Sequence, residues 1–179
     1  MNHDPSREYR SRVRLLVVTI SDRVAAEVYA DESGPQAAAL AGEFLEGRGF
    51  RVTVVRRSIP DSQPGIERVL SEAIAGGIDL VLTTGGTGIG ERDVTPEATR
   101  AVITKELPGF MEAIRVRYCN RVPTVLLSRA VAGLAESTLI FNLPGSVQAV
   151  QECLGVILPA VPHALEIVRG RNGHDHVAD

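Results

Sequence analysis

The sequence predicts an α/β domain of three layers, α/β/α, with helices on both faces of a largely parallel sheet. Three observations carry that prediction. Strand-like and helix-like segments alternate along the chain. The first strand-like run, Val13-Arg-Leu-Leu-Val-Val-Thr-Ile20, is nearly continuous in apolar residues, as a strand covered on both faces must be. A glycine-rich turn follows a later strand and leads directly into a helix, the usual ligand-facing connection of an open parallel sheet.

The elements follow in order. Ser33-Gly-Pro35 offers a capping hydroxyl and a first-turn proline, so a helix is expected from Gln36 to about Arg48, stopped by Gly47 and Gly49. Phe50 to Ile59 is rich in valine and reads as a second strand. Ile66, Val69, Leu70, Ala73 and Ile74 recur at the spacing of one helical face, and Gly76-Gly77 closes that helix. Asp79-Leu-Val-Leu-Thr-Thr84 is a third strand running into the glycines. Thr95-Pro96 opens another helix, with a capping hydroxyl and proline at the first position, and Phe110 to Arg121 is expected to be helical.

Leu126–Ala132 and Ser137–Asn142 read as two extended segments, the second ending at Leu143-Pro-Gly145. Ser146 caps a helix with Val147, Val150, Leu154 and Ile157 on one face. A last helix runs from about Pro159, with Val161, Ala164, Leu165 and Val168 facing inward. Met1–Arg12 and Gly170–Asp179 are polar and without periodicity, so they are expected to be flexible tails around a single domain at residues 13–169.

Composition narrows the function classes. Of 179 residues, 44% are hydrophobic and 23% charged, enough for a sizeable core. A net charge of -3 argues against a general nucleic-acid binder, which carries a basic stripe. The local cluster Arg48, Arg51, Arg56 and Arg57 is read as the solvated edge of the second strand. No stretch is read as approaching the roughly 20 apolar residues of a membrane span, and the polar N-terminus precedes a run too short for a secretory signal. A cytoplasmic location is therefore expected. The two cysteines, Cys119 and Cys153, are too few for a disulfide framework and lack metal-ligand spacing, so they are read as reduced thiols. His174 and His176 fall in the C-terminal tail and are read as solvated.

Three loops after predicted strands carry chemistry: Thr19-Ile-Ser-Asp22, Ile59-Pro-Asp61 and Thr83–Asp93. In the third, Gly85, Gly86, Gly88 and Gly90 let backbone N–H groups converge without side chains in the way, a nest for anionic oxygens. Thr83, Thr84 and Thr87 add hydroxyls, Arg92 a fixed positive charge, and the helix opening at Thr95 its positive dipole end. The loop is no Walker A motif, because Glu91-Arg92 stand where Gly-Lys-Ser/Thr would end. Nor does the alternation of Gly86, Gly88 and Gly90 fit the dinucleotide fingerprint. A phosphate loop of another type is left. Asp61 and Asp93 each follow a strand end. Either can cap the helix after it, or together they can hold Mg²⁺ with nucleotide phosphates, since that ion takes hard oxygen ligands and few of them from protein.

The segment Thr83-Thr-Gly-Gly-Thr-Gly-Ile-Gly-Glu-Arg-Asp-Val-Thr-Pro-Glu-Ala-Thr99 closely resembles the signature of the molybdopterin adenylyltransferases, the Mog/MoaB and gephyrin G-domain family. The resemblance continues in order through Thr19–Arg23, Tyr29–Pro35, Ile59–Asp61, Leu107–Phe110, Leu127–Gly133 and Phe141–Ser146, and covers residues 13 to 165. It implies a molybdopterin-binding fold, a homotrimer or dimer of trimers, and an Mg²⁺-dependent reaction of ATP with molybdopterin. AMP would join the terminal phosphate of molybdopterin, pyrophosphate would leave, and the product would pass to a molybdate-inserting enzyme. By the same resemblance Asp61 and Asp93 are the magnesium and catalytic aspartates. Thr84, Gly85, Gly86, Thr87, Gly88 and Arg92 form the phosphate loop, and Ser21, Ser128, Pro144, Gly145 and Ser146 line the pterin and nucleotide pocket. Glu27 stands where the family often has glycine, and Val147 where it often has proline. A second reading is a non-catalytic paralogue that carries molybdopterin. Direct molybdate insertion is not expected, for want of the additional domains that accompany it.

Overall fold

In the structure, a computed structural model that describes residues 12–170, the apolar run forms β1 (Arg12–Ile20) at the heart of a six-stranded sheet. The other strands are β2 (Arg51–Ile59), β3 (Leu80–Thr84), β4 (Lys105–Glu106), β5 (Ala132–Ala135) and β6 (Thr138–Leu143), and their order is β2-β1-β3-β6-β5-β4. β2, β1, β3 and β6 run parallel. β5 and β4 are antiparallel, so the sheet is mixed with a parallel centre.

Alternation along β1 divides the core into two layers. Val13, Leu15 and Val17 face one side with Leu80, Leu82 and Phe141, under helices Ser33–Gly47, Pro108–Tyr118, Val147–Ile157 and Val161–Val168. Leu16, Val18 and Ile20 face the other with Val81 and Ile140, under helices Gln63–Ala75 and Thr95–Val102. These helices are numbered α2 (Ser33–Gly47), α3 (Gln63–Ala75), α4 (Thr95–Val102), α5 (Pro108–Tyr118), α6 (Val147–Ile157) and α7 (Val161–Val168), after the single turn α1 (Asp22–Ala25). The two layers of helix about the sheet are the predicted α/β/α arrangement.

Several expectations need correction. Ser33 does not cap α2: it lies inside the first turn, and Asp31 Oδ1 accepts from the Gly34 amide at 2.9 Å instead. Thr95 likewise sits inside α4, after Val94. Leu126–Ala132 is not one continuous strand. Pro123 opens a 3₁₀ turn through Leu127, and the strand starts only at Ala132. Helix α5 ends at Tyr118, short of Arg121. Arg12 belongs to β1 and not to a tail, and its carbonyl accepts from Arg169 at 2.6 Å. Gly170, expected in the C-terminal tail, closes the last helix with its amide on Ile167 O at 3.0 Å; the rest of both predicted tails, with His174 and His176, lies outside the described residues.

The stretch Val147–Val168 is, by length and a hydropathy of 1.2, apolar enough to cross a membrane, contrary to the sequence reading. It is broken by a 3₁₀ turn at Leu158–Ala160, and Val150, Leu154, Ile157, Val161 and Leu165 are buried against the sheet. These buried positions belong to the core described above and account for part of that hydrophobicity. At the opposite edge β2 is exposed along most of its length, as the arginine cluster predicts, and Arg57 pairs with Glu72 at 2.9 Å.

Candidate active site

The parallel registers bring four strand ends to one rim. Ile20 lies opposite Ile59, Thr19 opposite Thr84, and Thr84 opposite Leu143. From β1 the chain passes to β2 on one side and then to β3 on the other, so the crevice between their carboxyl ends is a topological switch point. A cleft of about 770 Å³ opens there, lined by Ser21, Asp22, Arg23, Tyr29, Asp61, Thr84, Gly85, Gly86, Arg92, Asp93, Gly145 and Ser146 among others. Beside it a more apolar cavity of about 320 Å³ is lined by Thr87, Gly88, Met111, Ile114, Tyr118, Ser128, Pro144, Ser146 and Cys153. Ser146 borders both. The predicted site residues are thus distributed over two adjoining chambers, one polar and one apolar.

The wall between the chambers is the glycine loop. Gly85 and Gly86 have φ of 96° and 63°, consecutive left-handed conformations that glycine adopts without penalty. A Cβ on Gly85 would lie 2.4 Å from the Ile20 carbonyl oxygen, and one on Gly86 2.4 Å from Thr95 Oγ1. The carbonyls of this turn are tied back: Thr95 Oγ1 donates to Gly85 O at 2.9 Å and the Thr95 amide to Gly86 O at 3.1 Å. Among the described residues the amides of Gly86, Thr87, Gly88 and Ile89 find no acceptor. Carbonyls bound and successive N–H groups free is the arrangement that receives anionic oxygen.

The carboxylates are held without being used up. Asp61 Oδ2 accepts from the Asp22 amide at 2.8 Å, and Asp22 Oδ1 accepts from the Asp61 amide at 3.0 Å, a reciprocal clasp between the ends of β1 and β2. Asp93 Oδ2 accepts from the Gly90 amide at 2.8 Å and closes the loop. Neither aspartate caps a helix, since Ser62 and Val94 occupy those positions. Oδ1 of each has no hydrogen-bond partner among the described residues. No group of three or more metal-binding side chains occurs among the described residues. The donor set therefore fits a hard cation shared with phosphate oxygens, and not a cage of protein ligands.

Hydroxyl roles differ from the sequence reading at some positions. Thr83 is fully buried and accepts from Asn142 Nδ2 at 3.0 Å, so it braces β3 against β6 and gives the cleft nothing. Thr84 is buried in the cleft floor, its Oγ1 3.0 Å from Ser33 Oγ; Thr19, 3.5 Å away, donates in turn to Asp31 at 2.7 Å. Ser21 and Ser146 cap helices by accepting from Val24 and Ala149, which leaves each hydroxyl proton available to a ligand. Ser128 lines the apolar chamber, its Oγ 3.4 Å from the Ala130 amide. Arg92 reaches across the cleft mouth to pair with Asp22.

Sequence reasoning missed several lining residues, Asp22, Arg23, Tyr29, Asp31 and Glu32 among them. Asp22 stands in a loop already recognised as loaded, and its clasp with Asp61 appears only when β1 and β2 pair. Arg23 and Tyr29 stack, with the guanidinium 5.1 Å from the ring centre. In all, five carboxylates (Asp22, Asp31, Glu32, Asp61, Asp93) and two guanidiniums (Arg23, Arg92) line the cleft. Such a surplus repels a polyphosphate unless cations accompany it. Neither cysteine lines the polar cleft. Cys153 is buried, and burial, helped by the Glu152 charge, pushes its thiol up to about 12.

A family profile described as "Probable molybdopterin binding domain" matches residues 16–163. The chain belongs to that family. The chain is 42% identical over 171 residues to the molybdopterin adenylyltransferase of Haemophilus influenzae, covering 88% of itself and 85% of that relative. It is also 38% identical to gephyrin of Dictyostelium discoideum, of which it spans only 22%. The solved structure of the molybdopterin biosynthesis Mog protein from Mycobacterium ulcerans superposes with a TM-score of 0.78 at 41% identity, covering 87% of this chain and 99% of that one. The matched region runs from the middle of β1 into α7 and includes all three loops of the rim.

Proposed function

We propose that the protein is a molybdopterin adenylyltransferase of molybdenum cofactor biosynthesis, using Mg²⁺-ATP. The observation that carries the reading is a loop of free amides that runs from the carboxylate-rich cleft, at Gly86 beside the half-engaged Asp61 and Asp93, into the adjoining apolar chamber at Thr87 and Gly88. The reaction moves an adenylyl group. A terminal phosphate oxygen of molybdopterin attacks the α-phosphorus of ATP, the bond to the β-phosphate oxygen breaks, and pyrophosphate leaves. Such transfers depend on positioning and charge stabilisation, so no protein nucleophile is required.

Each part of the site has work suited to it. The Gly86–Ile89 amides orient one phosphate chain, and Ser21 and Ser146 donate to oxygens at the rim. Asp61 and Asp93 would hold Mg²⁺, which supplies charge neutralisation on the polyphosphate. The apolar chamber accommodates one planar ring and keeps it from water. A homotrimer or dimer of trimers, a cytoplasmic setting and transfer of the product to a molybdate-inserting enzyme complete the proposal by family likeness.

The test is pyrophosphate release by purified protein given molybdopterin, ATP and Mg²⁺. Asp93→Asn keeps an oxygen for the Gly90 amide but removes the charge, and is expected to slow release by about 10²-fold or more. Molybdopterin binding without pyrophosphate release would instead identify a carrier.

A further inference from the structure

Arg129 lines neither chamber. It lies behind the glycine loop, reached from the segment before β5, and it gathers the loop's carbonyls. Its Nε donates to Gly88 O at 2.6 Å, a second nitrogen donates to Asp93 O, and the third pairs with Glu97 Oε1. Its own amide donates to Thr87 O at 2.9 Å. A trans peptide points its carbonyl and the following N–H in opposite directions. Drawing the carbonyls of Thr87 and Gly88 toward Arg129 therefore turns the Gly88 and Ile89 amides away from it, and these are two of the unpartnered donors.

We infer that Arg129 is a positioning residue for anion binding: its guanidinium fork, oriented by Glu97, fixes the outward-facing amides of the loop. The inference rests on the phosphate-binding reading of this loop proposed above. The fork matters more than the charge. Three nitrogens in a plane serve three acceptors at fixed angles, and a lysine ammonium cannot reproduce that. Glu97 holds the fork with one oxygen, while its Oε2 is buried without a partner. The rest of the pair is partly open to water, so the contact counts here for the orientation it gives the fork and not for buried charge.

The experiment titrates inorganic tripolyphosphate with Mg²⁺ into wild type, Arg129→Lys and Glu97→Gln by calorimetry, with a denaturation curve for each. Arg129→Lys is expected to bind roughly tenfold more weakly, with partial recovery when free guanidinium ion is added to an Arg129→Ala protein. Glu97→Gln, which leaves the carbonyl bonds in place, is expected to weaken binding by about threefold. A folded Arg129→Lys protein with wild-type affinity overturns the inference, even if it melts earlier, because a purely structural role predicts that outcome. If Arg129→Lys does not fold, unchanged affinity in Glu97→Gln overturns it equally. Tripolyphosphate binding by a wild type that releases no pyrophosphate from ATP and molybdopterin would refute the proposed reaction alone. No binding by the wild type would refute both.

Discussion

Replacing Gly86 by alanine tests the loop geometry from its most constrained point. Gly86 has φ of 63°, where an L-residue costs about 1–2 kcal/mol. The new methyl would also lie 2.4 Å from Thr95 Oγ1, and Thr95 is fully buried with its hydroxyl bonded to Gly85 O. Relieving that overlap costs roughly 1–3 kcal/mol of overpacking. The total is about 3 kcal/mol, which for a domain of this size lowers the melting midpoint by about 6–12 °C. Gly49 provides the control, since it has φ of 85° and nothing within 4 Å of a Cβ. Gly49→Ala carries the backbone cost alone, about 1–2 kcal/mol. Urea denaturation of the two variants separates the close approach from the conformation. If Gly86→Ala were no less stable than Gly49→Ala, the packed turn against Thr95 would be refuted.

Glu27 occupies φ of 56°, a left-handed conformation that glycine adopts without penalty. Glu27→Gly should change stability by less than about 1 kcal/mol, strain relief offsetting chain entropy, whereas Glu27→Val should destabilise by about 1 kcal/mol or more. A strongly destabilising glycine in urea curves would contradict this. Native protein should react with a maleimide at Cys119 only, since the Cys153 thiol is buried and pushed up to about 12; modification of Cys153 in mass spectra of folded protein would refute it. For Glu97, burial raises the carboxyl, but the hydrogen bond and charge of Arg129 outweigh it and hold it below 4.5. The pair's stabilisation is thus fully present above that value and lost as pH falls through the lowered one. Glu97→Gln should flatten the stability profile on the acid side, and an unchanged acid limb would count against the pair.

Much of this was legible in the chain because it follows from local pattern. β1 and β3 are covered on both faces and read as apolar runs, and the glycine loop announces itself at the end of β3. Where the pattern misled, tertiary contacts had overruled it. The hydroxyls of Ser33 and Thr95 look like caps, yet both turn inward to Thr84 and Gly85. Leu126 and Leu127 look like a strand, but Pro123 sets a 3₁₀ turn that leaves both exposed. The short β4 has only two residues and no apolar signal at all. For the site, Asp61, Asp93 and the glycines could be named from the sequence. The clasp of Asp61 by Asp22 and the bracing of the loop by Arg129 join residues 39 and 41 positions apart, which no local spacing reveals.

The most direct measurement follows the α-phosphate. ATP labelled at that position is incubated with molybdopterin, Mg²⁺ and the purified protein, and the products are separated. Label is expected on molybdopterin in step with pyrophosphate release, and Asp93→Asn, still folded, is expected nearly to abolish both. Label remaining on ATP while molybdopterin stays tightly bound would contradict this.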